Sequence, residues 1–338
     1  AVAMETNIDT SAEDETGAAG YDLSDDGVLV YAPPAGFGGR DARLTFVDGA
    51  GKETSLPMDA RRFGAANLSP DGKRVAAQIN DIEGTHVWIL SVDRAAAQRL
   101  TTTGRNTSPV WSHDGRTVYF ASDRDGETDI WRRPADLSSA AEKVLEADGA
   151  EFPTSISGDG RWLVYSRRAP GNSDVGRVSL TDDDPAPEIL VDSDGDESGA
   201  SLSPDGRFVC FQSDETGQWD VHVLEIATGR RWVVSSVDGY SPFWTRDGER
   251  IMYMSGSESF MSVDVRTDPE FTATDAVLAV RIDTSRMGQT FDVTRDGSQV
   301  LVTTDVVGDG SFETRPRVTV VMNFFAQLRA RTKGDIPL

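Results

Sequence analysis

An all-β chain arranged as a ring of repeated sheets is what this sequence predicts, and three observations predict it. The dipeptide Asp-Gly recurs in one frame seven times: LSDDGVLVY, LSPDGKRVAA, WSHDGRTVYF, ISGDGRWLVY, LSPDGRFVCF, WTRDGERIMY and VTRDGSQVLV. Its glycines, Gly27, Gly72, Gly115, Gly160, Gly206, Gly248 and Gly297, are separated by 45, 43, 45, 46, 42 and 49 residues. Each copy is followed by short apolar or alternating segments with no helix-period stretch of useful length. The first residues of the chain also echo the end of the sixth copy, as strand exchange at the closure of a ring would produce. Four short antiparallel strands every 45 residues or so describe the blade of a β-propeller.

Each element has a local cause. In Ser-Pro-Asp-Gly, proline presets φ at the first corner, aspartate tolerates the second, and glycine takes the left-handed position. The turn leads into a second strand such as Val118-Tyr119-Phe120 or Trp162-Leu163-Val164-Tyr165. A polar loop follows, SDRDGETD (122–129) or SDETGQWD (213–220) for example. Third strands come next, Val87-Trp88-Ile89-Leu90, Ile130-Trp131 and Val221-His222-Val223-Leu224, then fourth strands such as Ala97–Leu100 and Arg231–Val234. The tryptophans recur at matching places, Trp111 and Trp244 before their turns, Trp88 and Trp131 on third strands, which points to packing between blades rather than to a stacking platform.

The pattern therefore predicts seven blades in one domain over 1–338, near 21–60, 64–103, 107–147, 151–192, 198–236, 240–284 and 289–325, with six blades as the alternative if the first copy is degenerate. The last copy lacks a fourth strand, and AV…IDTS at Ala1–Ser11 echoes AV…IDTS at Ala276–Ser285. Residues 1–10 are thus expected to complete the last blade, because closure removes unpaired sheet edges.

Composition narrows the partners. The 338 residues carry 33 Lys and Arg against 56 Asp and Glu, a net charge of −23. Such a chain repels phosphate backbones and anionic bilayers, so neither nucleic acid nor a membrane surface is an expected partner. The one cysteine, Cys210, excludes an intramolecular disulfide framework and multi-cysteine metal sites. No apolar run approaches the roughly 18 residues of a membrane span; the densest, Val318–Phe325, is eight long. The opening AVAMETNIDT shows no basic segment leading into an apolar core, so no signal peptide is visible there, and a start without methionine points to a processed or excised chain.

Catalytic motifs are missing. His113 stands in a turn, and His86 and His222 open third strands at matching places, where packing is the expected role. GASLS (199–203) lacks the closing glycine of a nucleophile elbow, and HExxH does not occur. A non-catalytic chain without a required cofactor is the expectation. Asp192, Asp194 and Asp196 alternate like the ligands of a calcium loop, but the sixth-position glycine is missing and Ser203 stands where a bidentate glutamate belongs; a polar turn is the alternative. A channel-mouth binding site is expected from the loops joining fourth to first and second to third strands, with Arg62, Arg105, Asn106, Glu151, Phe152, Glu197, Tyr240 and Gln289 as candidates. Mixed charge with a few aromatics suits a protein, a peptide or a small polar ligand.

These repeats resemble the TolB-like, PD40-type propellers, whose blades carry Ser-Pro-Asp-Gly before an apolar strand. A narrower likeness, carried by SDDGVLVY (24–31), LSPDGKRVA (68–76), SPVWSHDGRTVYFASDRDG (108–126), DESGASLSPDGRFVCFQSDETGQWDVHVLE (196–225) and the tail 290–331, is to the propeller attached to bacterial, acidobacterial-type, membrane-anchored serine/threonine kinases. That resemblance implies a sensor or interaction domain, tethered to a kinase and a membrane span and held on the periplasmic or extracellular side. Kinase motifs themselves are absent from the chain. Other readings are a periplasmic scaffold of the TolB kind, and a metal-dependent propeller lyase or hydrolase using channel carboxylates.

Overall fold

The Ser/Thr-x-Asp-Gly turns are the local device from which the architecture is built. In the computed structural model, which describes residues 21–23, 29–31, 41–147, 149–169, 171–182, 186–256, 259–281, 287–294, 298–305 and 319–321, they form a repeated hydrogen-bonded clasp. The hydroxyl donates to the aspartate at 2.6–2.7 Å in Ser69–Asp71, Ser112–Asp114, Ser157–Asp159, Ser203–Asp205 and Thr245–Asp247. The same oxygen accepts the backbone N–H five residues on, from Arg74, Thr117, Trp162, Phe208 and Arg250. The turn glycines Gly72, Gly115, Gly160, Gly206 and Gly248 all have φ between 68° and 76°, the region a Cβ disfavours. Glycine closes the turn, and the clasp starts the second strand.

The hydroxyl bonds hold the Asp71, Asp114 and Asp159 carboxyls below their usual range. Lowered folded values mean that this contribution is complete above the unfolded carboxylate range and disappears as pH falls through the folded values. Ser157→Ala strands the Trp162 N–H at a buried turn and is expected to cost about 1–3 kcal/mol in denaturant unfolding. Its deficit should shrink in acid, where Asp159 protonates in both proteins.

Residues 39–306 form one compact unit, and among its described residues every regular element is a strand. Blade 1 runs Phe63–Leu68, Arg74–Asp81, Gly84–Ser91 and Ala97–Arg99. Blade 2 is Asn106–Trp111, Thr117–Ser122, Asp129–Pro134 and Glu142–Leu145; blade 3 is Ala150–Ile156, Trp162–Arg168, Ser173–Ser179 and Glu188–Val191. Blade 4 is Glu197–Leu202, Phe208–Ser213, Asp220–Glu225 and Arg231–Val233. Blade 5 is Tyr240–Trp244, Arg250–Ser255 and Ser259–Arg266, whose outer edge is shared by Thr272–Ala273 and Val277–Arg281. Blade 6 joins both ends of the unit: Met287–Val293 and Gln299–Asp305 are its inner strands, Ala42–Asp48 and Glu53–Ser55 its outer ones.

The core lies in the seams. Six apolar clusters each bridge two neighbouring blades, and together they go once round the ring. Leu44, Phe46 and Leu301 of blade 6 pack with Leu68, Val75 and Leu90 of blade 1, while Val47, Val300 and Val302 pack with Met252 and Phe260 of blade 5. Trp111, Trp131 and Trp244 are buried in these seams, as their recurrence predicts, and Trp88 and Trp232 pack against them. Cys210 is fully buried, which pushes its thiol pKa up and leaves it an apolar packing residue.

The ring thus has six blades, not seven. The segment 42–55, expected in a first blade, pairs with 287–305, expected in a last one, so two expected blades are one. Closure uses two outer strands from the N-terminal side rather than a single strand; residues 1–11, expected to close the ring, lie outside the described residues. The first Asp-Gly copy is flanked by Tyr21–Leu23 and Leu29–Tyr31, which pair with each other and with Thr319–Val321 in a three-stranded antiparallel sheet. That sheet belongs to a second compact unit, residues 1–38 with 307–338.

Candidate functional site: the central channel

The inner strands of the six blades surround a channel of about 910 Å³. Each of these strands carries a register shift in mid-course, between Phe63 and Ala66 in blade 1 and at the matching place in the other five. A bulge leaves a residue out of the ladder and re-aims its neighbours. Here it places Ala65, Ser108, Pro153, Gly199 and Ser241 on the channel wall. Ser108 and Ser241 have φ of 51° and 49°, in the left-handed region, and Gly199 matches them at 62°.

Five residues before each turn glycine stand Asn67, Val110, Ser155, Ser201, Phe243 and Asp292, and all six line the channel. Four of them stitch a seam by accepting the backbone N–H of the next inner strand. Asp292 accepts from Leu68 at 2.5 Å, Asn67 from Trp111 at 3.0 Å, Ser155 from Leu202 at 3.0 Å and Ser201 from Trp244 at 3.2 Å. Val110 and Phe243 cannot accept. The wall is therefore rigid, rich in hydroxyls and almost uncharged; among the described residues Arg246 and Asp292 are its charged members, with His113 beside them as a titratable one.

Seven of the eight candidates read from the sequence lie off this wall. Arg62 is exposed and pairs with Asp41 at 3.6 Å, and Arg105 is exposed with its N–H on Asp123 at 2.6 Å. Phe152 lies under the Arg168 guanidinium, 5.5 Å from ring centroid to Cζ, and Tyr240 is tilted against Trp219 at 6.4 Å. Gln289 is on the blade 6 inner strand, with its side chain outside the described residues. Asn106, Glu151 and Glu197 are buried at the starts of their inner strands.

These three matching residues differ in how they are satisfied. The Asn106 amide donates to the Thr103 and Gly104 carbonyls at 3.0 and 2.7 Å and accepts from Arg124 at 2.9 Å. Glu197 accepts from the Ser193 and Ser213 hydroxyls on Oε1, with Oε2 unpartnered; burial raises its pKa, partly offset by those hydroxyls. Glu151 has neither oxygen hydrogen-bonded. Burial above all, and then the charge of Asp129 across the seam, pushes its carboxyl up to about 8.

Neither imidazole on a third strand is set up for catalysis. His86 and His222 are buried, which lowers both pKa values; His222 stacks on Phe211 at 5.4 Å, and His86 Nδ1 faces the Asn106 amide at 3.3 Å. Both are thus buried on their third strands, away from the channel wall. The turn holding Asp192, Asp194 and Asp196 is tied by Gly195 N–H to Ser193 Oγ and by Asp196 N–H to Asp214 at 2.8 Å. No group of three or more His, Cys, Asp or Glu among the described residues is placed to hold a metal ion, so the three aspartates do not converge. The channel wall itself was readable: SPVW (108–111) and SPFW (241–244) repeat immediately before their turns.

Comparison with known proteins agrees with this geometry. Residues 50–199 match the family described as the TolB beta propeller domain, PD40. An uncharacterized protein of Agrobacterium fabrum is 40% identical over 98 residues, which are 27% of this chain and 32% of that protein, so the match spans about a third of the relative's length. A protein of Agrobacterium tumefaciens assigned as TolB superposes with a TM-score of 0.60 at 15% identity, covering 79% of this chain and 99% of its own. TolB from Acinetobacter baumannii gives 0.54 at 15% identity over 72% and 67%, and the hydrazine synthase of Kuenenia stuttgartiensis 0.55 at 16% over 89% and 94%. At these identities the superpositions speak for the fold alone. Residues 50–199, then, are similar to the TolB β-propeller domain family, and the structure sets them in a closed ring of six blades.

Proposed function

We propose that this chain is a non-catalytic protein-binding propeller that works as a TolB-like scaffold on the periplasmic side of a bacterial membrane. The observation that carries the reading is the channel: a pre-formed cavity with a stitched, hydroxyl-rich wall that carries few charged groups. Such a wall offers hydrogen bonds and shape rather than an activated nucleophile. No helix among the described residues is long and apolar enough to cross a membrane.

Tagged chain exposed to an envelope extract should retain a defined partner, released by excess untagged chain. Ala65→Trp, which projects an indole into the channel, should abolish retention while the melting temperature stays within a few degrees. Retention unaffected by Ala65→Trp would move the partner off the channel. Turnover of a polysaccharide or phosphoester dependent on added calcium or manganese would replace the scaffold by the lyase or hydrolase reading, and would bring the Asp192–Asp196 turn back as a cation site. The likeness of segments such as 196–225 to kinase-attached propellers supports a narrower form, the sensor domain of a receptor-like kinase. On that form, the native reading frame upstream encodes a kinase and a membrane span.

A further inference from the structure

Two pairs of blades three apart correspond in sequence. LSPDG opens the hairpins of blades 1 and 4, and SPVWSHDG and SPFWTRDG open those of blades 2 and 5. The correspondence extends to contacts: a Cβ added at Gly115 would meet Pro70 of blade 1 at 3.4 Å, and one at Gly248 would meet Pro204 of blade 4 at 3.4 Å. Three steps in a ring of six is half a turn, so blades 2 and 5 face each other across the channel. Their inner strands share three departures from the rest. Each has a serine in the left-handed region before a proline, an apolar residue where other blades accept the seam hydrogen bond, and a buried tryptophan. Two before the glycine, blades 2, 5 and 6 carry the basic or titratable His113, Arg246 and Arg295, where blades 1, 3 and 4 have Pro70, Gly158 and Pro204. Left-handed backbone at a non-glycine residue is strained and concentrates at ligand clamps.

We propose that the Asp-Gly-turn end of the channel is a carboxylate-binding site, anchored by Arg246 and faced by His113. Arg246 lines the channel half-buried, and its Nη2 donates to the Leu68 carbonyl of blade 1 at 2.9 Å. That bond fixes the guanidinium while leaving further N–H donors for a ligand. Among the described residues no carboxylate lies within 4.0 Å of it. Asp292, the other charge on the wall, already accepts from Asn67 Nδ2 at 3.0 Å and from the Leu68 N–H. Ser155 and Ser201 accept backbone N–H groups from the next blade, so their hydroxyl hydrogens are available to donate inward.

A site made of one guanidinium and neutral donors matches a group that only accepts, and a planar carboxylate meets the guanidinium through two N–H bonds. The net charge of −23 weighs twice as heavily against a phosphate dianion as against a single carboxylate. The carboxylate has two sources, a small free acid or an Asp or Glu side chain of a bound partner; the second rests on the scaffold reading.

Calorimetric titration with propionate, and with capped Gly-Ser-Glu-Ser-Gly against its glutamine twin, tests the site and separates the sources. Propionate or the glutamate peptide should bind the native chain, and Arg246→Gln should weaken that binding about tenfold or more, a loss of about 1.4 kcal/mol or more. Glutamate favoured over glutamine identifies a partner's side chain; propionate alone identifies a free acid. A native chain that binds no probe, or binding unchanged by Arg246→Gln, overturns the proposal. Envelope-partner capture by the native chain in that event leaves the scaffold reading standing, so the two fail separately.

Discussion

A chain shortened to begin at residue 57 is expected to lose the cooperative unfolding transition of the ring, and a peptide spanning residues 41–56 is expected to restore it. Residues 42–55 supply half of blade 6. Ala42–Asp48 pairs along its whole length with Gln299–Asp305, and the buried Thr45 and Thr304 hydroxyls meet at 2.9 Å. Without it, Gln299–Asp305 becomes an open edge, and the blade 6 seams lose Leu44 and Phe46 on one side and Val47 on the other. Because the seams carry the core, the damage spreads to both neighbours. The point variant Leu44→Ala, at a side chain 1% exposed, should cost about 2–5 kcal/mol. Differential scanning calorimetry reads both results. A sharp native-like transition in the shortened chain, with no gain on adding the peptide, would show that the ring closes elsewhere.

Glu151→Gln is expected to leave the protein near native stability at pH 5 and to stabilise it by about 1–3 kcal/mol at pH 9. The native carboxyl is fully buried, without hydrogen bonds, beside Asp129, and its pKa is raised to about 8. A raised folded value means that the contribution is complete below the unfolded carboxylate range, near 4.5, and is lost as pH rises through about 8. Across that window the unfolded chain has released a proton that the folded chain retains, so native stability falls with rising pH. Glutamine cannot ionise, and the difference between the two proteins isolates this one group from His86 and His222. Those imidazoles have lowered values and act in the opposite direction, gaining stability as pH rises. Urea unfolding at half-unit steps from pH 4.5 to 9 measures the difference; two parallel curves would place an ionised, compensated carboxylate at the seam.

Much of the blade was legible because its causes are local. Ser157, Asp159 and Gly160 make their turn with one another and with Trp162, so the turn and the start of the next strand can be read from six consecutive residues. The burial of Trp111 and Trp244 followed from recurrence, since matching residues of a repeat meet matching seams. Blade number was harder to read. LSDDG at 23–27 has every local feature of a hairpin, and its flanking strands do pair, but whether a hairpin joins the ring depends on partners nearly 300 residues away.

The candidate site illustrates the same division. Arg62 and Arg105 read as polar loop residues at a mouth, and loops of that kind are ordinarily exposed, which these are. Glu151 and Glu197 read the same way and are buried, because an inner strand begins inside the seam of the preceding blade. The wall residues Asn67, Ser155, Ser201 and Asp292 read as unremarkable polar positions until the ring sets each against the next backbone.

From the sequence alone came the turn, the strand that follows it, the period and hence the all-β repeat, because hydrogen bonds within a hairpin join residues close along the chain. Only the tertiary structure decided that there are six blades, that 42–55 completes the last of them, and that Arg246 and His113 line one channel from different blades. Those facts depend on how many twisted sheets can pack face to face before the first meets the last, a condition on the whole ring that no single repeat contains.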